Sequence, residues 1–186
     1  MIKSFASQAV SELMARGAPS ESLVDPLFLA YGALLLAFAV GVFREGAGRG
    51  RGLRAAGALL MAHAVAGFTG PTLFEMNRRG AVGGASDLPH IVLTALLVVL
   101  VLLAIGAAAP AFGPRFRRYS LATLLVMIAI GAASAPYGAR LVAGRPTPGL
   151  GILERLDIYA SLLWIAVLSA MLLRHDRRRS GSRAQM

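Results

Sequence analysis

The sequence predicts an all-α fold: a polytopic membrane bundle of five transmembrane helices, with the N-terminus outside and the C-terminus cytoplasmic. Two observations predict the class and a third orients it. Of the 186 residues 56% are apolar and only 15% charged, which argues against an ordinary soluble domain. Five apolar stretches, at 27–43, 55–73, 91–112, 121–142 and 158–173, have lengths that suit a hydrocarbon core of ~30 Å. The third observation is charge. Arg44, Arg49, Arg51 and Arg54 follow the first stretch. Arg115, Arg117 and Arg118 follow the third, and Arg174, Arg177, Arg178, Arg179 and Arg183 follow the fifth. Alternate connections share a side, and Lys and Arg near span ends mark the cytoplasm.

The same partition disposes of a nucleic-acid reading of the +10 net charge. The cytoplasmic segments oppose those Arg residues only with Glu45 and Asp176. Outside, Lys3, Arg16, Arg78, Arg79, Arg140, Arg145 and Arg155 balance Glu12, Glu21, Asp25, Glu75, Asp87, Glu154 and Asp157. The excess faces anionic headgroups, so membrane lipids are the expected partners, along with a homo-oligomer or other membrane subunits. There is no cysteine, which excludes disulfides, thiolate catalysis and Cys-ligated metal. No cleavable signal is visible before the first span. The wealth of Ala, Gly and Arg suggests a GC-rich bacterial genome and hence the bacterial cytoplasmic (inner) membrane.

Taken in order, residues 1–24 read as an outer interfacial segment. Phe5, Ala9, Leu13 and Met14 recur near helical spacing, with Ser11, Glu12 and Arg16 polar, as in a short surface helix. Gly17, Pro19 and Pro26 interrupt that pattern. Residues 25–173 form the transmembrane domain. Small residues four apart, Ala33/Ala37/Gly41, Ala62/Ala66/Gly70 and Gly131/Ala135, predict ridges on which helices approach closely. Pro71, Pro110 and Pro136 predict stops or kinks. The Gly-rich patches at 46–52 and 80–84 read as loops, without the strand–helix context of a nucleotide-binding motif. Residues 174–186 are a basic cytoplasmic tail. No internal repeat supports an inverted-repeat transporter.

Ionisable residues near membrane depth are the functional candidates, because burying them is costly. They gather at the outer span ends: Glu75 after the second span, Asp87 and His90 opening the third, and Glu154 and Asp157 opening the fifth. Residues three apart share a helix face, so each pair can aim at one spot. Three or more carboxylates and an imidazole could hold a divalent metal ion, whose open position would activate water. The structural alternative stands beside it. Ser86 or Asp87 can N-cap a helix with an early Pro89, and acids in a first turn suit the macrodipole. Glu154 can pair with Arg155 or Arg140, and Glu75 with Arg78. His63, in the middle of the second span, reads as a neutral imidazole bonded to a neighbouring helix, with a proton relay as the rival. Tyr159 and Tyr119 lie near span ends and Trp164 inside the fifth span. No catalytic elbow, zinc-protease or Walker motif is present.

The stretches Glu75-Met76-Asn77-Arg78-Arg79-Gly80 and Asp87-Leu88-Pro89-His90 resemble parts of the domain-of-unknown-function 998 family of bacterial multi-span proteins. So do Phe116-Arg117-Arg118-Tyr119-Ser120, followed by Thr123. The longest likeness runs from Pro146-Thr147-Pro148-Gly149 through Glu154-Arg155 to Tyr159 and Trp164. Ser11-Glu12-Leu13 and Gly17-Ala18-Pro19 resemble the family's first outer loop. The resemblance implies six spans in relatives, the first lying before this loop, so an outward N-terminus here fits a chain that starts where that helix would end. It implies no reaction. The expectation is an outer polar pocket of Glu75, Asp87, His90, Arg140, Glu154, Arg155 and Asp157, binding a divalent cation, a lipid headgroup or another small ligand. In an enzymatic version, metal-bound water attacks an ester while a carboxylate acts as base. The alternative is a non-catalytic structural or accessory membrane subunit, and a transporter dependent on His63 comes third.

Overall fold

The computed structural model describes residues 4–74, 76–77 and 87–183, apart from the side chains of 70–72 and 176–183. Five long helices carry the fold: α1 (Glu21–Arg49), α2 (Arg51–Leu73), α3 (Leu88–Ala108), α4 (Pro114–Val142) and α5 (Leu150–Arg183). Two 3-10 turns, Ser11–Leu13 and Ala109–Phe112, complete it, and no strand occurs among the described residues. The chain is a multi-pass membrane protein. Among the described residues, four helices are long and apolar enough to cross a bilayer: α1, α3 continued to Phe112, α4, and α5 as far as His175. Five were expected. The helix outside this set is α2, whose apolar run is diluted by Arg51, Arg54, His63 and many Ala and Gly residues. It lies between α1 and α3, so neighbouring helices cover much of it.

Consecutive helices run antiparallel, and all the described Arg side chains of the expected cytoplasmic connections collect at one end. That end is welded tightly. The 46–52 stretch, expected as a loop, is helical except for Gly50, a one-residue link with φ +116°. A β-carbon on Gly46 would run into the Arg54 backbone, and one on Gly57 into the Phe43 backbone, so these glycines set the closeness of α1 and α2. The Arg54 guanidinium folds over the Phe43 ring, 4.8 Å from its centre. Pro26 and Pro136 do not stop their helices: each lies inside one, in α1 and α4. Pro110, in contrast, falls where α3 gives way to the 3-10 turn.

The packed stripes are not the four-residue ridges that the small residues suggested. On α1 the buried positions are Gly32, Leu35, Ala39, Val42 and Gly46, while Ala33, Ala37 and Gly41 are exposed. That alternation of three and four is the seam of a left-handed helix pair. On α2, Ala56, Leu60 and Ala64 are buried while Ala62 is exposed, and on α4 the stripe is Phe116, Ser120, Thr123 and Met127 rather than Gly131 and Ala135. All five helices contribute to one core, whose members include Val42, Leu60, Ile105, Phe116, Met127, Trp164 and Leu168. It occupies the half of the bundle nearest the basic end. Trp164, fully buried, donates its indole N–H to Ser120 Oγ at 3.1 Å and stacks obliquely on Phe116.

Candidate functional site

The opposite end of the bundle is held by an irregular strap, residues 4–18. The short surface helix expected there is replaced by turns and a single 3-10 turn, which leaves backbone donors and acceptors needing partners. Most of those partners come from α5 and the turn before it. Glu154 accepts a 2.6 Å hydrogen bond from the Val10 N–H. Thr147, fully buried, donates its hydroxyl to the Ser7 carbonyl at 3.0 Å, and the Gly151 N–H donates to the Ala6 carbonyl at 3.0 Å. Arg155 donates through one nitrogen to the carbonyls of Phe5 (3.1 Å), Gln8 (3.2 Å) and Gly151 (2.7 Å). Its guanidinium lies 4.0 Å above the centre of the Phe5 ring. A β-carbon at position 151 would strike the carbonyls of Gln8 and Phe5, so the strap needs glycine there. Glu12 is buried and closes its own turn by accepting from the Ala9 N–H at 2.8 Å.

Asp87 and His90 belong to a different knot. Asp87 holds the N-cap position of α3 but makes no capping bond. Its carboxylate instead accepts from the Asn77 backbone N–H and side-chain amide, both at 2.9 Å. His90 is buried, with Nδ1 2.9 Å from the Phe74 carbonyl; a carbonyl only accepts, so the proton sits on Nδ1. Both side chains fasten the start of α3 to the stretch just after α2. The strap joins the same knot through the Arg16 N–H, which donates to the Met76 carbonyl at 3.1 Å, and through an apolar cluster of Ala15, Ala18, Met76 and Leu141.

The predicted pocket residues therefore fall into separate groups. Asp87 and His90 meet at residues 74–77, Glu154 and Arg155 meet the strap, and Arg140 packs against Tyr137, 5.8 Å from the ring centre. The alternative pairings of Glu154 with Arg155 or Arg140 give way to its bond with Val10. Glu75, with Arg78 and Ser86, lies outside the described residues. No three His, Asp or Glu residues come together in a metal-binding group among the described residues. Asp157 stands apart: one carboxylate oxygen is buried with no hydrogen-bond partner. His63 Nδ1 donates to the Leu97 carbonyl at 2.9 Å and ties α2 to α3.

Sequence reasoning left Thr147 without a role and put Glu12 on the polar face of a surface helix. The proline on either side of Thr147 was the available signal, since two flanking prolines fix an extended backbone whose hydroxyl must look elsewhere for a partner. No curated protein and no solved structure matches the chain. The family described as "Protein of unknown function (DUF998)" matches residues 2–171, nearly the whole chain, from the strap into α5. This chain belongs to the DUF998 family of proteins of unknown function.

Proposed function

We propose that this protein is a five-span integral protein of the bacterial cytoplasmic membrane, with the strap outside and the basic end inside, acting as a non-catalytic structural or accessory subunit. One observation carries the reading: Asp87, His90, Glu154 and Arg155 are all engaged with backbone groups that irregular segments leave open. Residues so committed brace a fold; they do not converge on a reacting atom. The concentration of Arg at the opposite end supports the orientation. Membrane lipids and other membrane subunits, or a second copy of this chain, are the partners this role calls for. The first test is elemental analysis of detergent-purified protein after exposure to divalent ions. The expected result is no stoichiometric metal in the wild type or in Asp87→Ala/His90→Ala. A near-stoichiometric metal lost in the folded double variant would overturn the non-catalytic reading. Because the chain has no cysteine, single cysteines at Ser4 and Arg118 test the orientation with a membrane-impermeant maleimide. Ser4→Cys should label in intact cells and Arg118→Cys only after permeabilisation.

A second reading, ligand binding at the strap end, rests on Asp157. A buried carboxylate oxygen without a partner is costly and is the kind of group a bound cation or donor would satisfy. Thermal stabilisation of the wild type by Mg, Ca, Mn or Zn ions, absent in Asp157→Asn, would favour this reading over the first.

A further inference from the structure

We infer that the bundle is built from two bodies, α1–α3 with the strap and α4–α5, hinged at the basic-end core and latched at the other end by the strap's contacts with α5. The inference starts from where burial stops. In α4 no residue from 128 to 142 is buried, and in α5 none lies buried between Gly151 and Trp164. On α3 there is a similar gap between His90 and Val101, but bonds to α2 bridge it. The buried members of the shared core end at Met127 on α4 and Trp164 on α5, with partly buried Ala160 at the edge. Over the same depth, α1, α2 and α3 stay joined to one another. Gly32 is buried against Phe68, His63 bonds to the Leu97 carbonyl, and Asp87 and His90 fasten α3 to the end of α2.

At the strap end, α4 and α5 meet the other body through few groups. Among the described residues, Leu141 touches the Ala15, Ala18 and Met76 cluster, and Thr147, Gly151, Glu154 and Arg155 bond to residues 5–10, with Arg155 also over the Phe5 ring. The strap is bonded to the first body, covalently through α1 and by Arg16 to Met76. It therefore acts as a latch, and the two ends of the joint differ in kind. A packed core separates only on global unfolding, whereas a set of local hydrogen bonds opens at lower free energy. Opening the latch lets the outer halves of α4 and α5 swing from α1–α3 about the Phe112–Phe116 contact, where the end of α3 meets α4, a hinge motion of the ordinary kind.

The test uses the full chain in liposomes and pulsed electron resonance between paired nitroxide labels. One pair, Val92→Cys with Ala139→Cys, spans the joint at the strap end; the other, Arg51→Cys with Arg115→Cys, spans it at the basic end, and all four positions are exposed. The latch is broken by Glu154→Ala/Arg155→Ala and, more gently, by Thr147→Val, which removes the hydroxyl that bonds Ser7 and no charge. The expected result is a strap-end distance that lengthens or broadens by several ångströms in the double variant and less in Thr147→Val, while the basic-end distance is unchanged. Amide exchange at residues 6–10 should rise about tenfold or more, as the loss of a charge-assisted bond implies. An unchanged strap-end distance in both variants, or equal shifts at both ends, would overturn the two-body joint.

Discussion

The two ends of this bundle are held together by different physics. At the basic end, cohesion is dense packing: helix backbones brought close by Gly46 and Gly57, and an aromatic group of Phe112, Phe116 and Trp164 around one indole hydrogen bond. Lipid tails are as apolar as Leu, so close contact rather than expulsion of water must supply the attraction there. At the strap end, cohesion is polar, and many of the bonds run from a side chain to a backbone group. The contrast explains why acids and His90 mimic a binding site. Irregular backbone near a membrane boundary needs fixed donors and acceptors, and it recruits the same residue types that a ligand would.

The largest expected effect attacks the packed end. Trp164→Ala removes a fully buried ring from the contact of α4 with α5 and leaves Ser120 without its donor. Comparable core truncations cost about 3–5 kcal/mol. Circular dichroism during denaturation of the detergent-purified protein should show that loss, while Trp164→Phe recovers part of it. Next comes Gly57→Ala, which forces a β-carbon into the Phe43 backbone and should cost about 1–3 kcal/mol. A neutral Gly57→Ala would mean that α1 and α2 separate easily and that the basic end is not the rigid one.

Strap-end variants should be milder and local. Glu154→Ala leaves the Val10 N–H without its acceptor and should cost about 1–3 kcal/mol. Trp164 is the chain's single tryptophan, so its fluorescence reports the basic end alone. It should stay native in Glu154→Ala while amide exchange rises across the strap. A shifted Trp164 spectrum would show that the two ends are one cooperative unit.

Four of the five expected spans were legible because length and apolarity alone define them; α2 falls short of that measure because Arg51, Arg54, His63 and many Gly residues dilute its apolar run. The faces were not legible. Ala and Gly are so frequent in α1 that a four-residue spacing picks out exposed Ala33, Ala37 and Gly41, while the true seam, Gly32 to Gly46, alternates three and four. At the site, the three-residue spacing of Asp87 and His90 did put both on one neighbour, residues 74–77. That this neighbour is backbone depends on how the chain leaves α2, which no local pattern encodes. The partners of Glu154 and Thr147 lie in a strap about as distant in sequence as this chain allows, Val10 and Ser7. Periodicity cannot reach across such separations.

The smallest expected effect belongs to His63, and it sharpens the comparison from the middle of the bundle. Its bond to the Leu97 carbonyl joins α2 to α3 within the first body, on the far side of the joint from α5. Inter-helix hydrogen bonds of this kind average about 0.6 kcal/mol, because a loosened helix in lipid finds other partners. His63→Leu should therefore lower stability by about that amount in a denaturation series and leave both the Trp164 fluorescence and the strap's amide exchange unchanged. A proton relay through His63 would behave otherwise: protein in liposomes would carry a proton flux that His63→Leu abolishes. Near-native stability with no flux in either protein would place His63 with Asp87 and His90, as polar bonds that keep α1–α3 a single body while the strap holds the outer end of α5.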